Sequence, residues 1–223
     1  MSNFFNPDSP FMQGLGKFAD IILLNILTVL LSLPVITIGA AVTALYDAMW
    51  RILRDEGGVY KNFFLAFKNN FKQATVLWLL ALVSGALMVF SMLFYVSNSM
   101  TVLLVLISIF FLIWAVTVAW LFPLQSRFEN SIKDTIKNAL LCGLGQFPRS
   151  LLMSVLNLLP WVVLLFLTSV FFEIGFLWIS VWFGLTAYLN MMIIRKPFFK
   201  MAGVPLDPRQ AMLEEEMAAE DEE

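Results

Sequence analysis

The sequence contains no histidine, a single cysteine (Cys142) and few charged side chains, which make up 13% of its 223 residues. Without histidine the chain lacks the usual general base, the commonest metal ligand and the ordinary pH switch. One cysteine cannot form a disulfide scaffold. Because ordinary soluble domains carry about 25% charged residues, much of this molecule must face something other than water. An apolar content of 60% also excludes a disordered chain.

Sequence motifs for catalysis are missing as well. The chain has no G-x-x-x-x-G-K-[ST] nucleotide-binding run, no G-x-S-x-G nucleophile elbow and no cluster of metal-ligand residues. We therefore expect a protein that is not an enzyme and that uses no cofactor. No nucleic-acid partner is expected either.

Three long stretches carry almost no charge: residues 21–46, 73–126 and 150–194, the last interrupted only by Glu173. About 20 apolar residues cross a hydrocarbon core of roughly 30 Å. The first stretch therefore predicts one span and the others two each, folded back at Ser97-Asn98-Ser99 and at Glu173. The fold class predicted is all-α, a polytopic membrane helical bundle of five transmembrane helices. The spans lie at about 20–47, 74–96, 100–124, 150–172 and 174–194.

The first span contains Pro34, which interrupts helical hydrogen bonding. Residues 20–33 alone would make about 21 Å of helix, too short to cross a bilayer. The helix either kinks at Pro34 and continues, or breaks there into a re-entrant pair. We expect the kinked span, because Gly39, Thr43 and Ala44 continue a small-residue face suited to close helix packing.

Lysine and arginine are distributed unevenly among the segments between the predicted spans. From the N-terminal tail (1–19) to the C-terminal tail (195–223), their numbers alternate 1, 5, 0, 4, 0, 4. Because basic residues stay in the cytoplasm, the N-terminus is predicted outside and the C-terminus inside. Seven acids among residues 214–223 predict a solvated, acidic cytoplasmic tail.

Two cytoplasmic segments, about 59–72 and 131–143, are predicted to form amphipathic helices in the headgroup plane. The second begins with a Ser131–Asp134 capping box, and its apolar side would hold Ile132, Ile136 and Ala139. In the first, aromatic residues share a stripe about 100° wide with lysines on its flank. This helix could orient the bundle or form a surface for lipid or a partner protein. Its candidate residues are Tyr60, Lys61, Phe63, Phe64, Phe67, Lys68, Phe71 and Lys72.

A shift of the chain against itself by 76 residues pairs Arg51 with Arg127 and Phe71 with Phe147. Spans one and two then overlay spans three and four. We interpret this as a parallel internal repeat of span, basic helix and span, to which the fifth span is added.

Polar residues along the first span are the other candidate site. They serve either interhelical hydrogen bonds and a structural ion pair, or a substrate path along the kink. The candidates are Asn25, Thr28, Ser32, Pro34, Thr37, Asp47 and Arg51.

Four blocks of the sequence resemble the YesL-like family of bacterial multi-pass membrane proteins of unknown function. They are DIILLN (20–25), SLPVITIGAA (32–41), ALY (44–46) and the run from Phe63-Phe64 to Phe67-Lys68-Asn69-Asn70-Phe71-Lys72. The resemblance implies a protein of the bacterial cytoplasmic membrane, often encoded beside genes of carbohydrate uptake and degradation. It implies no catalytic residue.

These observations favour a non-enzymatic accessory protein linked to carbohydrate uptake. Its partners would be the lipid bilayer and either transporter permease subunits or a second copy of the chain. The alternatives are a facilitator that itself conducts a small solute, and a structural or stress-related membrane bundle.

Overall fold

A computed structural model describes residues 9–166 and 168–203. At residues 10, 160, 161 and 163–180 it describes the helical backbone but not the side chains. The described residues form seven α-helices and one short 3₁₀ turn, Val35–Thr37. The helices are α1 Pro10–Leu31, α2 Ile38–Leu53, α3 Val59–Ser97, α4 Thr101–Arg127, α5 Ile132–Gly145, α6 Phe147–Phe166 and α7 Thr168–Met201. Of the predicted tails, residues 1–8 and 204–223 lie outside the described residues, whereas residues 10–19 of the N-terminal tail belong to α1.

Four of these stretches are long and apolar enough to cross a membrane: Phe11–Leu31, Val35–Leu53, Val59–Ser97 and Thr101–Arg127. The pair α5 and α6, bent by 107°, would provide a fifth span. At this level the prediction of an all-α, multi-pass membrane protein is confirmed.

The chain breaks at Pro34, where a kinked but continuous span was predicted. Helix α1 ends at Leu31, and Pro34 is extended, with φ −76° and ψ 115°. The backbone N–H of Thr37 then donates to the Pro34 carbonyl at 2.9 Å and begins the 3₁₀ turn. The prediction of a continuous span is wrong because proline has no N–H, clashes with the preceding turn and forces its neighbour out of the helical region.

Helices α1 and α2 form an antiparallel hairpin around this break. Lys17 Nζ near the start of α1 lies 2.7 Å from Asp55 Oδ1 just after α2, and the Tyr60 hydroxyl donates to Asp20 Oδ1. The start of α1 is therefore at the same end of the bundle as the end of α2. The predicted separation of Lys17 from residues 51–72 by one membrane crossing is wrong, because the chain turns back at Pro34.

The turn of this hairpin is level with the middle of α3. Trp78 Nε1 donates to the Val35 carbonyl at 2.8 Å, and Gly39 lies directly against Ala74. From Trp78, α3 continues to Ser97, about 28 Å further. The hairpin therefore enters the bundle from one end and turns back short of the other.

We call the end that holds the start of α1 the basic end. It also contains the ends of α2, α4 and α7, since Trp50 contacts both Phe198 and Phe199 and lies beside Arg127. The opposite turn between α3 and α4, Asn98–Met100, carries no charge. Both ends of the described chain thus lie at the basic end.

Helix α3 is one continuous helix of 39 residues, and the separate headgroup-plane helix over 59–72 is not confirmed. Neither glycine nor proline occurs between Val59 and Ser84. Once a helix has begun, each added residue brings its own hydrogen bond, so Tyr60–Lys72 simply extends the helix that follows.

Helix α5 begins as the capping motif predicts: the backbone N–H of Asp134 donates to Ser131 Oγ at 3.2 Å. Its buried residues, however, are Thr135, Ala139 and Gly143, whereas Ile136 is 37% exposed. Small side chains decide the contact because α5 lies close against α4. The repeat is not confirmed either, since α5 and α6 are bent by 107° where α3 is one continuous helix.

Helix α7 is helical through Glu173, where the sequence predicted a turn. A single glutamate is compatible with a helix interior.

Helix α2 forms the centre of the bundle. Three quarters of its residues are buried, among them Gly39, Ala40, Thr43 and Ala44. Small side chains let neighbouring helices approach closely. As a result, α1, α3, α4 and α7 all pack against α2.

Candidate functional site

A buried carboxylate joins two helices at the basic end. Asp47, whose side chain is 6% exposed, accepts from Arg51 Nε at 2.9 Å through Oδ2 and from Arg127 Nη1 at 2.9 Å through Oδ1. The spacing of Asp47 and Arg51 in α2 predicts the first contact. The second comes from α4 and could not be read from local spacing. Two arginines neutralise this acid, so it is suited to hold helices together rather than to transfer protons.

An aromatic cluster continues this junction to α7. The Arg127 guanidinium lies 4.7 Å from the centroid of the Trp50 ring, a cation–π distance. On its other sides Trp50 packs against Phe198 at 5.4 Å and Phe199 at 4.3 Å between ring centroids. We call Asp47, Arg51, Trp50, Arg127, Phe198 and Phe199 the basic-end junction; it links α2, α4 and α7.

Helix α3 extends beyond the end of α4. Gln125 Nε2 near the end of α4 donates to Asn70 Oδ1 at 2.9 Å, so the end of α4 is level with Asn70. Helix α3 begins at Val59, about 16 Å earlier. We call residues 59–72 the α3 extension.

The aromatic residues that were predicted to share one stripe of the α3 extension are partly buried in the core and partly exposed. Phe63 is fully buried and Phe67 partly buried, whereas Phe64 is 49% and Phe71 37% exposed. At 100° per residue the exposed side chains form one continuous arc about 180° wide. That arc consists of Tyr60, Lys61, Phe64, Leu65, Lys68, Asn69, Phe71 and Lys72.

The predicted polar path along the first span is dispersed in the structure. Asn25 Oδ1 accepts from the Gly184 N–H at 2.7 Å and joins α1 to α7. Thr28 donates to the Leu24 carbonyl within its own helix, and Thr37 donates to the Pro34 carbonyl at 2.7 Å. Ser32 caps α1. Asp47 and Arg51 lie at the other end of α2, so the seven residues do not line one passage.

A cavity of about 330 Å³ lies among α2, α3, α4, α6 and α7. Three tryptophans from three different helices form much of its wall: Trp78, Trp114 and Trp182. Its polar lining is Tyr46, Ser154, Asn157 and Thr186. Fully buried Asn190 donates through Nδ2 to both the Tyr46 hydroxyl and Asn157 Oδ1, each at 2.9 Å.

Sequence reasoning missed this cavity. Asn157 and Trp182 stood out only as isolated polar and aromatic residues within apolar stretches, and Tyr46 carried no functional signal of its own. Nothing local brings together residues from five helices. Among the described residues, no group of three or more cysteines and carboxylates could hold a metal ion.

Residues 21–92 match the model of a family described as a protein of unknown function, DUF624. The match covers the second half of α1, all of α2 and the greater part of α3. It supports the resemblance at the level of that description, and the narrower YesL-like assignment stays a prediction. No curated protein and no solved structure matches the chain.

Proposed function

We propose that this multi-pass membrane protein is a non-enzymatic accessory component of a larger membrane assembly, which it joins through the α3 extension. The observation that carries the proposal is the exposed arc of the extension, where Phe64 and Phe71 lie beside Lys61, Lys68 and Lys72. Unlike the exposed apolar side chains of residues 76–112, a stretch without charge, the rings of this arc are interleaved with lysines.

The composition of the extension favours a protein partner over lipid alone. The extension runs beside the α1–α2 hairpin, because the Tyr60 hydroxyl donates to Asp20 of α1 and the hairpin turns back level with Trp78. Its lysines and aromatic rings are therefore presented together on one outer face of the basic end. The arc carries three lysines and no acid, which fits a partner surface that is both acidic and apolar.

The YesL-like resemblance makes a permease subunit of a carbohydrate importer our choice of partner. Cross-linking through lysine in native membranes, followed by purification and mass spectrometry, should recover such a subunit linked to Lys61, Lys68 or Lys72. The triple variant K61E/K68E/K72E should lose it, because reversing the charge opposes an acidic partner.

The matched control is K133E/K137E, which reverses two exposed lysines on α5 and should retain the partner. Recovery of a second copy alone, or cross-links confined to Lys133 and Lys137, would contradict the proposal.

We further propose that both ends of the chain lie in the cytoplasm of a bacterial cell. The support is the basic end, because basic residues remain on the cytoplasmic side. Lys17 lies at that end, so the N-terminus should be on the same, cytoplasmic side as residues 51–72. This replaces the orientation predicted from a single kinked first span.

Single cysteines in a Cys142→Ala background test this orientation. At Gly14 and Gly57 a side chain would meet open space, so G14C and G57C should react with an impermeant thiol reagent only after lysis. S97C, in the opposite turn, should react in intact cells. Labelling of G14C in intact cells while G57C stays protected would contradict this orientation and favour an N-terminus outside the cell.

A facilitator is the second candidate, and the cavity among five helices is what favours it. The described residues of its lining include no charged side chain, so an uncharged solute would be the cargo. Flux of such a solute through purified protein in liposomes, above empty controls, would replace the accessory proposal with this one.

A further inference from the structure

We propose that the cavity binds a neutral, lipid-soluble ring compound that carries a carbonyl acceptor, the chemistry of a lipid quinone. This site is separate from the α3 extension and does not depend on the accessory function.

The walls of the cavity select a flat apolar body. Trp78, Trp114 and Trp182 line it together with aliphatic and phenylalanine side chains. Aromatic rings pack well against other rings in offset or edge-to-face geometry. The volume of about 330 Å³ lies at the lower end of the range for small-molecule sites.

One region of the lining offers hydrogen-bond donors. The Tyr46 hydroxyl accepts from Asn190, which leaves its own proton free to donate. Asn157 accepts from Asn190 through Oδ1, which leaves its NH₂ group as a second donor. Two donors facing an apolar cavity are complementary to a carbonyl oxygen, because each would otherwise remain unpaired out of water.

The lining excludes charged and sugar-like ligands. Among the lining residues that the structure describes, the only ionisable side chain is Tyr46, and an unpaired charge would be costly in such surroundings. A free sugar would need a partner for each of several hydroxyls. The lining offers four polar side chains, and Ser154 already donates to the Ser150 carbonyl at 2.8 Å.

Two lining residues indicate where the ligand enters. Leu158 on α6 and Phe183 on α7 both line the cavity and are each 37% exposed at the bundle surface. In a membrane, these apolar side chains would face lipid. A ligand dissolved in the bilayer can therefore reach the cavity without crossing water.

The test uses the full chain in detergent micelles and a short-chain benzoquinone as the probe. Saturable quenching of tryptophan fluorescence, with equilibrium dialysis as a second measurement, should report binding to the wild type. Y46F removes the donor but keeps the ring, so it should weaken binding roughly tenfold. A115L fills the cavity, since Ala115 lines it, and should weaken binding further.

Y60F is the matched control, because Tyr60 lies outside the cavity on the α3 extension, and it should bind as the wild type does. K61E/K68E/K72E should also bind the quinone as the wild type does. Failure of the accessory proposal would therefore not contradict this one. Melting temperatures without probe confirm that each variant is folded. Absence of saturable binding to the wild type, equal affinity of folded Y46F, or competition by a free hexose would overturn the proposal.

Discussion

Replacing Asp47 with asparagine should lower the stability of the protein more than any other removal of a single charge. The change leaves Arg51 and Arg127 side by side without the carboxylate that each contacts at 2.9 Å. Loss of one partner from a buried ion pair typically costs about 3–5 kcal/mol. The arginine side chains are 23% and 27% exposed, so water offsets part of the loss and we expect about 3 kcal/mol. In a chain of this length that corresponds to a fall in melting temperature of roughly 10 °C.

The matched control is D55N, the same substitution eight positions further along the chain. Asp55 pairs with Lys17, but its side chain is 69% exposed, and surface pairs contribute little. Its melting temperature should remain within about 2 °C of the wild type. Thermal melts of both variants in one detergent provide the comparison, and an equal effect of the two would contradict a buried junction.

A double-mutant cycle separates the junction from a general effect of lost charge. R127Q removes one of the two arginines that Asp47 neutralises and also withdraws the cation from the Trp50 ring. If Asp47, Arg127 and Trp50 act as one network, the double variant D47N/R127Q should lose clearly less stability than the sum of the losses in D47N and R127Q. Strict additivity would mean that Asp47 and Arg127 are energetically independent.

The sequence predicts the class of this molecule well, because composition and apolar run length depend only on what each residue is. Membrane residence, the helical class and the turn near Ser97–Ser99 follow from such local quantities. The interaction of Asp47 with Arg51 also follows, since residues four apart share one face of a helix.

Sequence reasoning failed wherever the answer depends on how distant segments meet. Pro34 allows a kink or a break, and only the approach of Lys17 to Asp55 decides for the break. The sequence placed Lys17 and Asp55 at opposite ends of the bundle, whereas their side chains are in contact in the structure. The cavity is a stronger example, because Tyr46, Asn157 and Asn190 are 33 to 144 residues apart in the chain where they bond.

The second large effect is expected from the smallest substitution, G39A. Gly39 lies near the start of the central helix, where a Cβ would be 2.2 Å from the Ala74 carbonyl oxygen and 2.5 Å from Trp78 Cβ. Both neighbours belong to α3 at or next to its backbone, so neither can rotate away. Helices α2 and α3 must separate, and overpacking of this kind costs typically about 1–3 kcal/mol and at times more. We expect the upper part of that range.

Alanine substitutions at two further glycines should give a predicted order of stability. A Cβ on Gly143 would lie 2.9 Å from the Val116 carbonyl oxygen, whereas one on Gly14 would meet open space. G143A should therefore destabilise less than G39A. G14A should be neutral or slightly stabilising, since alanine favours a helix by up to about 1 kcal/mol over glycine. Melting temperatures in the order G14A, G143A, G39A, from highest to lowest, would support the observed helix contacts. A neutral G39A would mean that α2 does not pack against α3 at this point, and the short hairpin that ends level with Trp78 would then lose its main support.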